Sequence, residues 1–153
     1  MAKGTRFHQG KFSPMNTSKY DGDPTNIFYR SSWELKFFIW CDNNPDIVKY
    51  SSEEVVIAYL CPTDNKMHRY FVDARIQVRN TKNELKTYLV EIKPDKETRP
   101  PVIKSRKTKS YITEVTTWLK NEAKWNAARQ WCVDRNIEFV ILTEYELGLA
   151  KRK

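Results

Sequence analysis

The stretch "RYFVDARIQVRNTKNELKTYLVEIKP", residues 69–94, decides the fold of this chain. Apolar and polar residues alternate on both sides of the polar segment "NTKNE", a pattern typical of two strands joined by a turn. It predicts one strand over His68–Val78 and a second over Thr87–Lys93. Pro94 ends the second strand because proline has no N–H to donate to a ladder. The stretch is therefore expected to form a β-hairpin.

The register of this hairpin places two carboxylates opposite each other. If the turn is centred on Lys82, Asp73 and Glu91 lie equally far from the centre and face the same side of the sheet. Opposed carboxylates about 5 Å apart repel each other unless a positive charge lies between them. A divalent cation supplies that charge, and Mg²⁺ favours one or two carboxylates together with water and phosphate oxygens.

Lys93 follows Glu91 on the same face, where its ammonium can orient a water and stabilise charge on a scissile phosphate. These three residues indicate a site that hydrolyses phosphodiesters. The alternative is a solvated face on which Asp73 and Glu91 pair with Arg75 and Lys93. The spacing alone leaves both interpretations open, because a slip of one residue would turn Glu91 to the other side.

The rest of the chain predicts an α/β fold. A helix is expected to begin at Ser31 and to stop at "DNNP" (residues 42–45), because its aromatic residues recur at helical spacing. A helix over about Thr113–Arg135 carries an apolar stripe, and a strand with a continuous apolar run follows it. Strands are predicted over Glu54–Leu60 and Ile137–Thr143, in addition to the two strands of the hairpin. The predicted order is αβββαβ, a mixed central sheet flanked by helices, with the last strand parallel to a neighbour.

The length of 153 residues fits one domain. Residues 1–28 are polar and rich in turn formers, so we expect an N-terminal arm, followed by a single domain over residues 29–153. The three cysteines are far apart, without a C-x-x-C motif and with only two histidines. The sequence therefore favours buried, reduced thiols over a disulfide framework or a zinc site.

The charge of the chain indicates a polyanionic partner. Lys and Arg outnumber Asp and Glu by 27 to 19, which gives a net charge of +8. Basic surface gains from phosphate contacts and counterion release, so nucleic acid is the leading partner and an anionic membrane the lesser one. The apolar runs are too short for a membrane span, and the N-terminus lacks the apolar core of a secretory signal.

Several motifs resemble the PD-(D/E)xK nuclease superfamily, whose fold is called restriction-endonuclease-like. They are "VDARI" (residues 72–76), "VEIKP" (residues 90–94), Glu34 on the first helix and Lys124 on the long helix. Within it, "FHQGKF" and "YRSSWE" resemble the TnsA-like branch and the head-completion nucleases of T-even-type tailed phages. Val72 stands where the superfamily usually has proline. The resemblance covers residues 7–142.

By this resemblance, Asp73, Glu91 and the Ile92 carbonyl would hold Mg²⁺, for which Mn²⁺ could substitute, and Lys93 would serve the attacking water. Glu34 would be an auxiliary catalytic residue or metal ligand. Glu34 also fits a capping box with Ser31 as the N-cap, so a purely structural role stays open.

The basic segment "IKSRKTKS" (residues 103–110) is expected to hold a DNA backbone without reading bases. A solvated loop is the alternative. Arg30, just before the first helix, and Lys124 are further candidates for phosphate contact. The predicted DNA-binding residues are Arg30, Lys104, Arg106, Lys107, Lys109 and Lys124.

The resemblance implies a Mg²⁺-dependent nuclease that acts on double-stranded DNA ends during phage head completion. The implied partners also include phage head or portal proteins, and the implied locations are the host cytoplasm and the virion. Two alternatives stay open: an endonuclease of recombination or transposition, and a non-catalytic DNA-binding virion protein on the same fold.

Overall fold

The central element is a four-stranded mixed sheet that carries a helix on each face. The computed structural model describes residues 9–151. The helices and strands are, in chain order, β1 (Gly10–Phe12), β2 (Ile27–Tyr29), α1 (Ser32–Asn43), β3 (Ile47–Ser52), β4 (Val56–Cys61), β5 (Lys66–Phe71), β6 (Ala74–Arg79), β7 (Leu85–Ile92), α2 (Lys109–Asp134) and β8 (Glu138–Leu142). The sheet order is β3-β6-β7-β8, in which only the β7–β8 pair is parallel.

Helix α1 covers one face of this sheet. Ser31 caps its N-terminus, since the Ser31 hydroxyl accepts a hydrogen bond from the Glu34 N–H. Phe37 and Phe38 point into a core that contains Ile76 and Val90 from the central strands. The helix ends at Asn43, within the predicted stop.

Helix α2 covers the opposite face. Thr108 caps it by accepting a hydrogen bond from the Tyr111 N–H, so the helix begins four residues before the predicted Thr113. Trp125, Ala128 and Cys132 pack against Leu89 of β7. The chain then enters β8, which lies parallel to β7 as predicted. The alternation in β7 is explained by these two cores, because Leu89 faces α2 and Val90 faces α1.

The predicted strand assignments before β7 need three corrections. The strand expected over Glu54–Leu60 is β4, and it pairs with β5 in a separate two-stranded sheet. The strand expected over His68–Val78 is two strands, because the chain leaves that sheet at Val72 and enters the central sheet at Ala74. The first strand of the central sheet is instead β3, which was not predicted because its sequence "IVKYSS" is short and half polar.

The αβββαβ order nevertheless describes the central sheet, if its strands are β3, β6, β7 and β8. The β4–β5 hairpin is inserted between the first two of them.

Residues 9–28 of the predicted N-terminal arm pack on this domain. Strand β1 pairs with β2 across the expected boundary at residue 28, and Tyr20 and Ile27 are buried in the α1 core. Residues 1–8 of the arm lie outside the described part.

Cys41, Cys61 and Cys132 are buried free thiols, as predicted. Over residues 9–151, none of the helices has both the length and the apolar character that crossing a bilayer requires.

Candidate active site

A cleft of about 210 Å³ opens where α1, β6 and β7 meet. It brings together all of the residues predicted to be catalytic, and Arg30 as well. Its walls are formed by Arg30, Ser31, Trp33, Glu34, Asp73, Glu91, Ile92, Lys93 and Pro94.

The hairpin register is the one that the sequence predicted. Ala74 pairs with Val90 and Arg79 with Leu85, so a continuation by one residue sets Asp73 opposite Glu91. Glu91 is only 5% exposed, which excludes the alternative of a solvated face. In that alternative Arg75 would pair with Asp73, but its guanidinium contacts Asp21 at 3.2 Å instead.

Asp73 sits at the bend between the two sheets. Its carboxylate oxygen Oδ2 accepts a hydrogen bond of 2.8 Å from the backbone N–H of Ile92. Desolvation by the surrounding protein raises the pKa of Asp73 well above its ordinary value, and the charges of Glu91 and Glu34 raise it further. A cation among these carboxylates would stabilise their charged forms and so offset both the desolvation and the repulsion.

Glu91 is held on both sides. Its Oε1 accepts a hydrogen bond of 2.7 Å from the buried hydroxyl of Tyr70, and its Oε2 lies 3.6 Å from the ammonium of Lys93. Burial raises the pKa of Tyr70, and the neighbouring Glu91 charge adds to this shift, so the phenol stays protonated and keeps donating.

Glu34 reaches the cleft from the first turn of α1. It is 7% exposed, and its Oε1 is buried without a hydrogen-bond partner. Desolvation, the Glu53 charge and, less strongly, the Glu91 charge raise its pKa to about 7, although the Arg30 backbone and guanidinium act in the opposite direction. The capping role of Ser31 is present, yet it leaves this carboxylate oxygen unsatisfied, as a metal or water ligand would be.

The charge balance of the cleft fits a divalent cation. Three carboxylates, those of Glu34, Asp73 and Glu91, face one ammonium, because the Arg30 guanidinium is paired with Glu53 at 3.0 Å. The three carboxylates do not converge within 4.8 Å of one another. Asp73 and Glu91 face each other in the strand register, and Glu34 joins them from helix α1.

The family model described as "TnsA-like endonuclease N terminal" matches residues 44–144. The chain belongs to this family.

A relative with a stated role supports the assignment. The chain is 44% identical over 141 residues to the head completion nuclease of Enterobacteria phage T4, and the alignment covers 90% of this chain and 91% of that protein. Both resemblances noted in the sequence, to the TnsA-like branch and to head-completion nucleases, are confirmed. Membership of an endonuclease family supports a nuclease activity and a DNA substrate, and TnsA-like endonucleases typically depend on a divalent metal.

The residues predicted to bind DNA in this TnsA-like chain occupy two regions. Arg30 lines it, and the Lys124 ammonium lies 5.8 Å from the ring centre of Tyr70, next to Glu91. The basic segment is exposed at the start of α2, where Lys104 and Lys107 approach the ring of Tyr111. Arg106 and Lys109 are exposed in the same segment.

Two residues of the site were missed in the sequence. If His68–Val78 were one strand, alternation would put Tyr70 on the face opposite to Asp73. The chain breaks at Val72 into two strands, so alternation does not relate the positions of these two side chains. Glu53 was missed because it lies in a turn with a positive φ of 55°, outside any periodic pattern. A tyrosine three residues before the aspartate of a nuclease-like motif is the signal that could have identified Tyr70.

A second group of potential ligands lies at the tip of the β4–β5 hairpin. Cys61, Asp64 and His68 are the one set of three or more such residues in the described chain with ligand atoms within 4.8 Å. Their polar atoms already bond within the turn, since His68 Nε2 contacts Asp64 Oδ2 at 2.7 Å and Cys61 Sγ contacts Thr63 at 3.2 Å. These contacts account for the group as a structural feature of the hairpin.

Proposed function

We propose that this chain is a divalent-metal-dependent nuclease with a restriction-endonuclease-like fold that hydrolyses phosphodiester bonds of double-stranded DNA ends during phage head completion. The observation that carries the proposal is the alignment of Asp73 with Glu91 in one cleft, with Lys93 on the same side. The head-completion part rests on the 44% identity to the T4 protein.

Asp73, Glu91 and the Ile92 carbonyl are the groups that would hold Mg²⁺, or Mn²⁺ in its place. When bound, the ion supplies positive charge to the phosphate that is attacked. Tyr70 fixes the orientation of Glu91, and Asp73 is fixed by the Ile92 N–H. Neither side chain has to reorganise before the reaction, which favours catalysis by a preformed electrostatic environment.

Lys93 orients the attacking water and stabilises negative charge on the phosphate. Its side chain is 23% exposed and contacts Glu91, so the ammonium lies between the carboxylate pair and solvent. Glu34 Oε1, which has no partner in the described chain, accepts a hydrogen bond from water at the edge of the cleft.

The exposed basic residues Lys104, Arg106, Lys107 and Lys109 contact the DNA backbone, and Lys124 and Arg30 contact phosphates nearer the cleft. These contacts carry no sequence information, which agrees with processing of ends rather than of a defined site. We further infer association with phage head or portal proteins and a location in the host cytoplasm and the virion, an inference that the relative's role in head completion supports.

Cleavage of linear and covalently closed circular DNA tests the proposal. The wild type is assayed with Mg²⁺, with Mn²⁺ and with EDTA, beside Asp73→Asn and Lys93→Ala. Asp46→Asn is the matched control, because Asp46 is an exposed acid outside the cleft. We expect metal-dependent cleavage that both site variants lose and the control keeps.

The outcome also separates the alternatives. Cleavage confined to linear DNA supports end processing, and cutting of both substrates supports an endonuclease of recombination or transposition. If the wild type leaves both substrates intact with either metal, or if Asp73→Asn cuts as fast as the wild type, the proposed catalysis is wrong.

A further inference from the structure

A cavity of about 500 Å³, larger than the catalytic cleft, lies beside it. It is formed between α2 and the chain that follows the short 3₁₀ helix Asp95–Thr98. Pro94 lines the cleft and Lys96 lines the cavity. Two residues span at most about 7 Å, so the walls of the cavity and of the cleft are close together at this point.

The wall of the cavity contains an aromatic ring and a side-chain amide. Trp118 is half-buried and lines it, with its indole packed edge-on against Trp125. Asn121 also lines it and is only 7% exposed, and its side-chain amide hydrogen-bonds to no other residue within residues 9–151. Since Asn121 lines the cavity, its amide can donate to and accept from a group bound there. An indole that stacks and an amide that donates and accepts together suit a nucleobase.

The rim of the cavity is basic on one side and apolar on the other. Lys96 and Arg99 line it, so phosphates are attracted to its mouth. Val102 and Ile103 follow two prolines and are 78% and 88% exposed. Apolar side chains presented to DNA beside basic residues can insert at a base step and unstack it.

Two acids define where a nucleotide would lie. Glu97 and Glu114 line the cavity as well, and their carboxylates disfavour a phosphate inside it. A carboxylate accepts hydrogen bonds from the amino group of cytosine, so Glu114 suits a base. A nucleotide would therefore enter with its base first and leave its phosphate at the rim.

We propose that this cavity binds an unpaired nucleobase at a DNA end, so that the substrate of the proposed nuclease is an end with at least one unpaired nucleotide. Trp118 stacks on the base, Asn121 pairs with its edge, and Val102 and Ile103 separate it from the duplex. The proposal rests on the proposed function, since it names the DNA structure that the same site acts on.

The test compares the affinity for three DNA ends by fluorescence anisotropy, with Ca²⁺ in place of Mg²⁺ to prevent cleavage. The ends are blunt, extended by one unpaired cytidine, and extended by one abasic nucleotide. The last two carry the same number of phosphates, so their difference reports on the base alone. We expect the cytidine end to bind about tenfold tighter than the abasic end, because the stacking of one base on an aromatic side chain contributes an affinity of this order.

Variants locate the effect. Trp118→Leu and Asn121→Ala are expected to remove the difference between the cytidine and abasic ends, and to leave the affinity for the blunt end within about twofold. Trp40→Leu is the matched control, because Trp40 is half-exposed on α1 and is absent from the walls of the cavity. Val102→Ser, at an exposed position that cannot disturb the core, should reduce the preference for the cytidine end without a change in the thermal midpoint.

Equal affinity of the wild type for the cytidine and abasic ends overturns the proposal, as does the absence of binding to all three. A preference that survives Trp118→Leu and Asn121→Ala overturns it too. The nuclease assay is read separately. An active nuclease that ignores the unpaired base refutes this inference alone, and an inactive protein that prefers the cytidine end refutes the proposed catalysis alone.

Discussion

Replacement of Tyr70 by phenylalanine tests how the β4–β5 hairpin supports the active site. The change removes one hydroxyl whose hydrogen bond to Glu91 Oε1 is 2.7 Å long and buried. A hydrogen bond to a charged group contributes about 1.5–3 kcal/mol, and its loss leaves a carboxylate oxygen without its donor. If the poorer orientation of Glu91 raises the activation free energy by about 2 kcal/mol, the cleavage rate falls about thirtyfold.

The assay measures initial cleavage rates of Tyr70→Phe over a range of Mg²⁺ concentrations. We expect the largest loss at low Mg²⁺, because a poorly oriented Glu91 weakens the metal site, and a partial recovery at high Mg²⁺. Tyr59→Phe is the control, since Tyr59 is a buried tyrosine of the same hairpin whose ring lies near His68. Cleavage by Tyr70→Phe at the wild-type rate at every Mg²⁺ concentration would refute the reasoning.

Three further predictions follow from the charges of the site. Burial raises the Glu34 pKa to about 7, so without metal the free energy of unfolding should fall as pH rises from about 4.5 to 7. The raised pKa of Asp73 contributes to the same decline, so Glu34→Gln should make it smaller by roughly 3 kcal/mol without abolishing it, in urea titrations across this range. Asp73→Asn should raise the thermal midpoint of the metal-free protein by relieving repulsion from Glu91. Ca²⁺ is expected to raise the midpoint of the wild type but not that of Asp73→Asn, and an equal Ca²⁺ response of the two proteins would contradict this. A triple alanine variant of the basic segment should flatten the plot of log affinity against log salt by about 2.7, whereas Lys82→Ala, at the far turn of the β6–β7 hairpin, should leave the slope unchanged. The three substituted residues are Lys104, Arg106 and Lys107.

The register of the β6–β7 hairpin could be predicted because one polar segment separates two alternating runs of similar length. That register alone brings Asp73 opposite Glu91. The two helices were predictable from spacing, and the Ser31 cap from its local sequence, whereas the Thr108 cap was missed and α2 begins four residues before the predicted start. These features depend on residues close together in the chain, which is why a single sequence contains them.

The break at Val72 could not be predicted from alternation, because alternation continues on both sides of it. Two backbone hydrogen bonds to the segment between β3 and β4 fix this break. The Val72 N–H donates to the Val55 carbonyl, and the Glu53 N–H donates to the Asp73 carbonyl. Val72 itself is buried in the α2 core. Such long-range pairing is decided by the tertiary structure and not by local propensity.

The same break explains why Asp73 is available for chemistry. Since the chain departs at Val72, the central sheet has no backbone carbonyl from this strand to receive the N–H of Ile92, and the side chain of Asp73 accepts that hydrogen bond instead. One oxygen of the Asp73 carboxylate therefore continues the hydrogen bonding between β6 and β7, while the same carboxylate faces Glu91. Asparagine keeps a carbonyl for the Ile92 N–H and removes only the charge, whereas alanine would also leave that N–H without its acceptor, at a cost of about 1–3 kcal/mol. A loss of cleavage in Asp73→Asn consequently reports on charge at the metal site, and the same loss in Asp73→Ala would mix that effect with damage to the end of the sheet.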